Sequence, residues 1–158
     1  MLELKPIGII HSPYKRIEGM PIQAAGASGV EGTVKVFEEY VAGLEDLDGF
    51  SHVILLYQFH QSAGYELSVV PFLDDKPHGL FATRAPRRPN PIGLSIVMLN
   101  NVIDGILHIS NVDILDETPL LDIKPYVPAF DQQNNVRSGW IEDARNRIAD
   151  YSADDRFS

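Results

Sequence analysis

The sequence contains no cysteine. That excludes disulfides, thiolate metal ligands and a cysteine nucleophile, and it fits a cytoplasmic protein. No apolar run approaches the roughly 20 residues needed to span a bilayer, so no membrane partner is expected. The opening MLELKPIGII has an acidic residue early and no small-residue cleavage site, unlike a secretory signal. Basic residues are scarce: 13 Lys and Arg stand against 22 Asp and Glu, for a net charge of −9. Affinity for a phosphate backbone comes mainly from Lys and Arg, which counts against a broad nucleic-acid footprint on one chain. No GxGxxG follows a strand-like run, so the usual dinucleotide fingerprint is missing. The five histidines show no His-x-x-x-His spacing, which disfavours a metal-dependent hydrolase, and no metal ligands are assigned.

What the 158 residues do contain suits one domain with a respectable core. Short apolar runs alternate with closely spaced turn signals, giving about eight short strands. The fold class expected is all-β: a single β-barrel-like domain of short, mainly antiparallel strands over residues 1–138. Leu4 to Ile10 reads as an edge strand, because Pro6 cannot donate to a ladder. HVILLYQF, His52 to Phe59, reads as a strand buried on both faces. Asp104-Gly105 between two apolar runs signals a hairpin. Leu80 to Thr83 reads as a strand leading into the next loop. Residues 139–158 differ in kind: Trp140, Ile141, Ala144, Ile148 and Tyr151 fall at helical spacing, predicting a C-terminal amphipathic helix and a tail.

One stretch stands out chemically. Gly79 to Ser95 reads GLFATRAPRRPNPIGLS, with Arg84, Arg87 and Arg88 threaded by Pro86, Pro89 and Pro91. Each proline fixes its own φ and biases the preceding residue toward extended backbone, so the segment is stiff and not helical. Guanidinium groups are planar forks of donors matched to carboxylates and phosphates. The loop reads either as an anion-binding segment or as a solvated connection balancing an acidic surface. A second region, VDILDETPLLDIKPYVPAFD, places Asp122, Lys124 and Tyr126 two apart, so a strand would point all three to one face.

FATRAPRRPNPIGLS resembles the signature of the TsaA-like (YaeB-like) family, and three further blocks are similar to it: the Ser12-Pro13-Tyr14 turn, DGFSHVILLYQFHQ, and the region from Val112 to Asp131. The resemblance implies a β-barrel, a homodimer, and an S-adenosylmethionine-dependent tRNA methyltransferase acting on N6 of threonylcarbamoyl-modified adenosine beside the anticodon. It implies cofactor contacts from Gln23, Ala24 and Ala25 in the long Lys15–Glu31 connection, from His60 and Gln61, from Arg84 and Leu94, and from Asp113, Ile114, Leu115 and Asp116. For the acceptor's proton the candidates are Asp116, Asp122 and Tyr126, since a carboxylate or a carboxylate–phenol pair suits that task. The family more often has glycine where this chain has Glu117, which would be strained if the position needs positive φ. The competing reading is a non-catalytic module that binds S-adenosylmethionine or a nucleotide.

Overall fold

A computed structural model describes residues 1–18, 20–21 and 27–142. Its centre is a closed barrel of six antiparallel strands in the spatial order β1-β2-β7-β6-β3-β8. These are β1 (Gly8–His11), β2 (Glu31–Val36), β3 (His52–Gln58), β6 (Ile92–Ile103), β7 (Ile106–Ser110) and β8 (Thr118–Pro125). A separate two-stranded ribbon joins β4 (Ser68–Val69) to β5 (His78–Gly79). The all-β, mainly antiparallel barrel expected from the sequence is thus the fold observed.

Strict alternation builds the wall. Along β6 the inward Gly93, Ser95, Val97 and Leu99 are buried, while Ile92, Leu94, Ile96 and Met98 point out. Val53, Leu55 and Tyr57 of β3 face the same interior, as do Ile10, Val34, Leu107, Ile109 and Leu120. Period-two burial is what a sheet closed around its own core requires.

Three local expectations are corrected. β1 is not an edge: it pairs with β2 on one side and β8 on the other. Pro6 precedes the strand, so its missing N–H removes no ladder bond. β3 is buried on one face only, with Ile54 and Leu56 half-buried outside. Leu80–Ala82 is a 3₁₀ turn and not a strand, because the Thr83 N–H and hydroxyl both donate back to Leu80 O, at 3.0 and 2.8 Å. The Asp104-Gly105 hairpin is present, with both residues at positive φ (51° and 78°) and Ile103 facing Ile106, as a two-residue primed turn demands. Gly139–Ile141 forms a 3₁₀ turn; the remainder of the expected C-terminal helix lies outside the described residues. Pro128–Asp131, with proline at its first position, is a single helical turn that the pattern did not announce.

Candidate S-adenosylmethionine site

A cavity of about 720 Å³ opens at one end of the barrel. Its size falls in the usual range for a small-molecule site. Its walls come mainly from the end of β3 and the residues after it, the arginine loop running into β6, and the connection after β7; Met20 and Pro21, Pro71 to Leu73, and Trp140 with its neighbours complete them. The strand-end and loop positions converge because β3 and β6 are neighbours in register, Gln58 facing Ile92 and Leu56 facing Leu94.

The arginine loop is braced from within. The Thr83 hydroxyl accepts the Ala85 N–H at 3.3 Å. Arg88 turns inward and donates to Thr83 O and Ala85 O at 2.9 and 3.0 Å. Its guanidinium also lies 5.9 Å from the Phe81 ring. Arg88 is therefore part of the scaffold that presents Arg84. Trp140 fixes the loop from the other side, donating its indole N–H to Ala82 O at 2.8 Å while stacking on His78. His78 is in turn paired with Asp74 at 2.8 Å.

Asp113 is the most unusual group in the wall. It is only 8% exposed. Its Oδ1 accepts the Ser95 hydroxyl at 2.6 Å, and Ser95 Oγ lies 2.8 Å from the Tyr57 hydroxyl. Burial raises the Asp113 carboxyl to about 6, against the smaller opposing effects of the Ser95 bond, its own backbone amide and Arg84. Burial, reinforced by the Asp113 charge, likewise pushes the Tyr57 phenol well up. The Tyr57 ring fits only because residue 93 is glycine: a Cβ there would stand 2.3 Å from Tyr57 Cε2.

Of the residues named from the sequence, His60, Gln61, Arg84, Leu94, Asp113, Ile114 and Leu115 line this one cavity. Gln23, Ala24 and Ala25 lie outside the described residues. Asp116 is adjacent but not in the wall. It accepts the Ser12 N–H at 2.9 Å and the Lys15 ammonium at 2.5 Å, with His11 at 3.4 Å. Burial opposes its ionisation, but these partners outweigh burial and its pKa is lowered. Asp122 and Tyr126 are not brought to the cavity. Asp122 pairs with Lys124 at 2.9 Å on the outside of β8, and Tyr126 meets His52 edge-on. Tyr57 and Ser95 were not anticipated. Their signal was available: Ser95 interrupts an otherwise apolar or glycine inward row on β6.

Residues 9–132 match the family model of the tRNA-methyltransferase O N-terminal domain. The chain belongs to that family. It is the family to which the motifs pointed. The chain is 53% identical over 157 residues to a probable S-adenosyl-L-methionine-binding protein of Pyrococcus abyssi, covering 99% of this chain and 85% of that protein. It is 37% identical over 139 residues to the mouse tRNA (adenine(37)-N6)-methyltransferase, covering 84% of this chain but 32% of the mouse protein. A crystal structure of TrmO from Pseudomonas aeruginosa superposes with a TM-score of 0.75 at 39% identity, covering 89% of this chain and 62% of that one. The present chain thus spans under two thirds of the solved relative.

The wall suits S-adenosylmethionine chemically. A buried carboxylate in a largely apolar cavity calls for a cation. Arg84 at the mouth offers a fork for a carboxylate. Leu94, Ile114 and Leu115 supply apolar surface for a ring.

Proposed function

We propose that this tRNA-methyltransferase O family chain is an S-adenosylmethionine-dependent methyltransferase acting on N6 of threonylcarbamoyl-modified adenosine next to the tRNA anticodon, in the cytoplasm. The observation that carries the reading is the buried Asp113 carboxylate facing the same cavity as Arg84. Bound there, S-adenosylmethionine would supply an activated methyl group. The chain's own residues would orient it. Arg84 would hold its carboxylate, Leu94 and Ile114 would offer apolar surface to its adenine, and the braced proline loop would keep that wall rigid before binding. His60 and Gln61, beside the cavity, offer hydrogen bonds to ribose or base edges.

For the acceptor's proton, Asp116 is the nearest of the three expected groups, but its carboxylate already serves Ser12 and Lys15. Asp122 and Tyr126 lie away from the cavity, on β8 and just after it. A homodimer is part of the same proposal. Ile54, Leu56, Ile96 and Met98 form an apolar outer face on β3 and β6, with Ile54 in register with Ile96, next to the cavity-lining Ile92 and Leu94. The Asp122–Lys124 pair flanks it. A two-fold partner would cover the apolar stripe and set Asp122 against Lys124 of the other copy, which is self-complementary.

The test is methyl transfer to tRNA carrying the threonylcarbamoyl group, compared with the same tRNA lacking it. Transfer to the first alone supports the reading. Arg84→Ala should weaken S-adenosylmethionine binding by roughly tenfold or more, as expected for loss of a charge-assisted bond, with the fold intact by circular dichroism. Unchanged affinity would remove the arginine loop from the site. A non-catalytic S-adenosylmethionine-binding module is the second reading, favoured by the net charge of −9. Cofactor binding without transfer to any tRNA would decide for it.

A further inference from the structure

We infer that Asp113 makes the cavity select a positively charged sulfonium ligand over its neutral thioether counterpart, so that the site discriminates cofactor from spent product by charge. The inference rests on the cofactor reading above and adds a specificity-determining residue to it.

The argument begins with proton counting. A serine hydroxyl has one hydrogen to give. Ser95 spends it on Asp113 Oδ1, at 2.6 Å. The 2.8 Å contact between Ser95 and Tyr57 must then have the phenol as donor. Tyr57 and Ser95 are 5% and 2% exposed and sit on the inner faces of β3 and β6. The chain Tyr57 to Ser95 to Asp113 therefore runs from the barrel interior outward, each hydrogen pointing toward the carboxylate. Tyr57, at its inner end, also borders the cavity, but its phenol is pushed well above the ordinary value and is no exit for a proton. This chain of hydroxyls serves to hold a carboxylate, with its acceptor side satisfied by neutral donors, against the cavity.

Two neutral hydroxyls in series do not cancel a charge. Arg84 is exposed at the cavity mouth and acts on Asp113 by its field, yet the balance at Asp113 remains that of a desolvated anion. Such a group is under-compensated until a cation enters. A sulfonium has a fixed positive charge and no N–H or O–H to donate, so a buried anion recognises it chiefly through its field. After transfer, the electron pair of the broken C–S bond stays on sulfur, and the charge disappears. The thioether that remains is nearly the same shape and still carries the amino and carboxylate groups. Only a buried anion close to the sulfur would tell the two apart strongly, because the attraction is undiluted by water.

The measurement is isothermal titration of the full chain with S-adenosylmethionine, with S-adenosylhomocysteine, and with an analogue bearing a protonated amine in place of the sulfonium. The wild type should bind the first and third at least about tenfold more tightly than the second. Asp113→Asn, which keeps the shape and still accepts from Ser95, should bring the three within about threefold, with S-adenosylhomocysteine affinity nearly unchanged. Loss of all three ligands in parallel would mean that Asp113 pairs with the shared amino group, and would overturn the inference. So would a wild type that binds S-adenosylhomocysteine as well as S-adenosylmethionine, a result that stands even if the variant does not fold. A wild type that binds none of the three would instead refute the cofactor reading itself, and the inference with it.

Discussion

Asp113 takes up a proton more readily than it would in the unfolded chain. Its carboxyl is raised from 3.8 to about 6, chiefly by burial. The charged group that acts on it is Arg84, while the charge of Asp113 itself helps to raise the Tyr57 and Tyr14 phenols. The folded chain binds this proton more tightly than the unfolded chain, so the contribution to stability is greatest below about pH 4 and is lost as pH rises through about 6. Above that the buried charge costs on the order of 3 kcal/mol. Stability of wild type minus that of Asp113→Asn, from denaturant melts, should therefore fall between about pH 4 and pH 7 and then level off. Asp116, whose lowered pKa acts in the opposite sense, is present in both proteins and cancels. A flat difference across that range would mean that Asp113 is not buried as a charge. Part of this cavity wall was legible residue by residue. The motifs placed His60, Gln61, Arg84, Leu94 and Asp113 to Leu115, all of which meet in one cavity. Tyr57 and Ser95 escaped because a core-facing tyrosine and serine look like ordinary packing until the partner carboxylate is known to lie across from them.

At the level of elements, the connection between β7 and β8 shows how a sequence departure becomes geometry. Five non-glycine residues among those described have positive φ, and four are Asp or Asn, which tolerate it. The fifth is Glu117, at 64°. The left-handed conformation costs an ordinary L-residue about 1–2 kcal/mol. Glycine removes that strain but adds about 0.5–1 kcal/mol of unfolded-state freedom. Glu117→Gly should therefore stabilise the chain by up to about 1 kcal/mol, read as a higher denaturant midpoint at constant slope. A lower midpoint would show that the glutamate side chain makes a contact worth more than the strain. The elements themselves were readable where an apolar run is bounded by turn signals, as in β3, β6 and β7, although the one-sided burial of β3 was not. They were misread where the decisive partner is distant or a side chain closes a local turn. Nothing near Pro6 reveals that β8 will flank β1, and nothing in Leu80–Ala82 reveals that Thr83 folds back on it.

At the scale of the whole molecule, the barrel hides its ladders but not all its apolar surface. Ile92, Leu94, Ile96 and Met98 are each 38–45% exposed in one row. Single exposed hydrophobics are ordinary, whereas a contiguous row marks an interaction surface. Light scattering at micromolar concentration should give a dimer mass. Ile96→Lys, which sets a charge in the middle of the row and leaves the cavity wall untouched, should give a monomer of unchanged secondary structure. A monomeric wild type would refute the pairing.

Shutting the barrel brings together parts of the chain that are far apart in sequence: the Ser12 amide reaches a carboxylate 104 residues away. While the chain is being made, the first strand must wait with one flank bare until the eighth has emerged from the ribosome. Loop closure over such a span is slow, and an open flank in that interval invites pairing with a neighbouring nascent chain. The His11, Lys15 and Asp116 cluster at this seam would then act as a latch that fastens last, and synthesis speed or chaperone supply would govern the yield of correctly shut molecules.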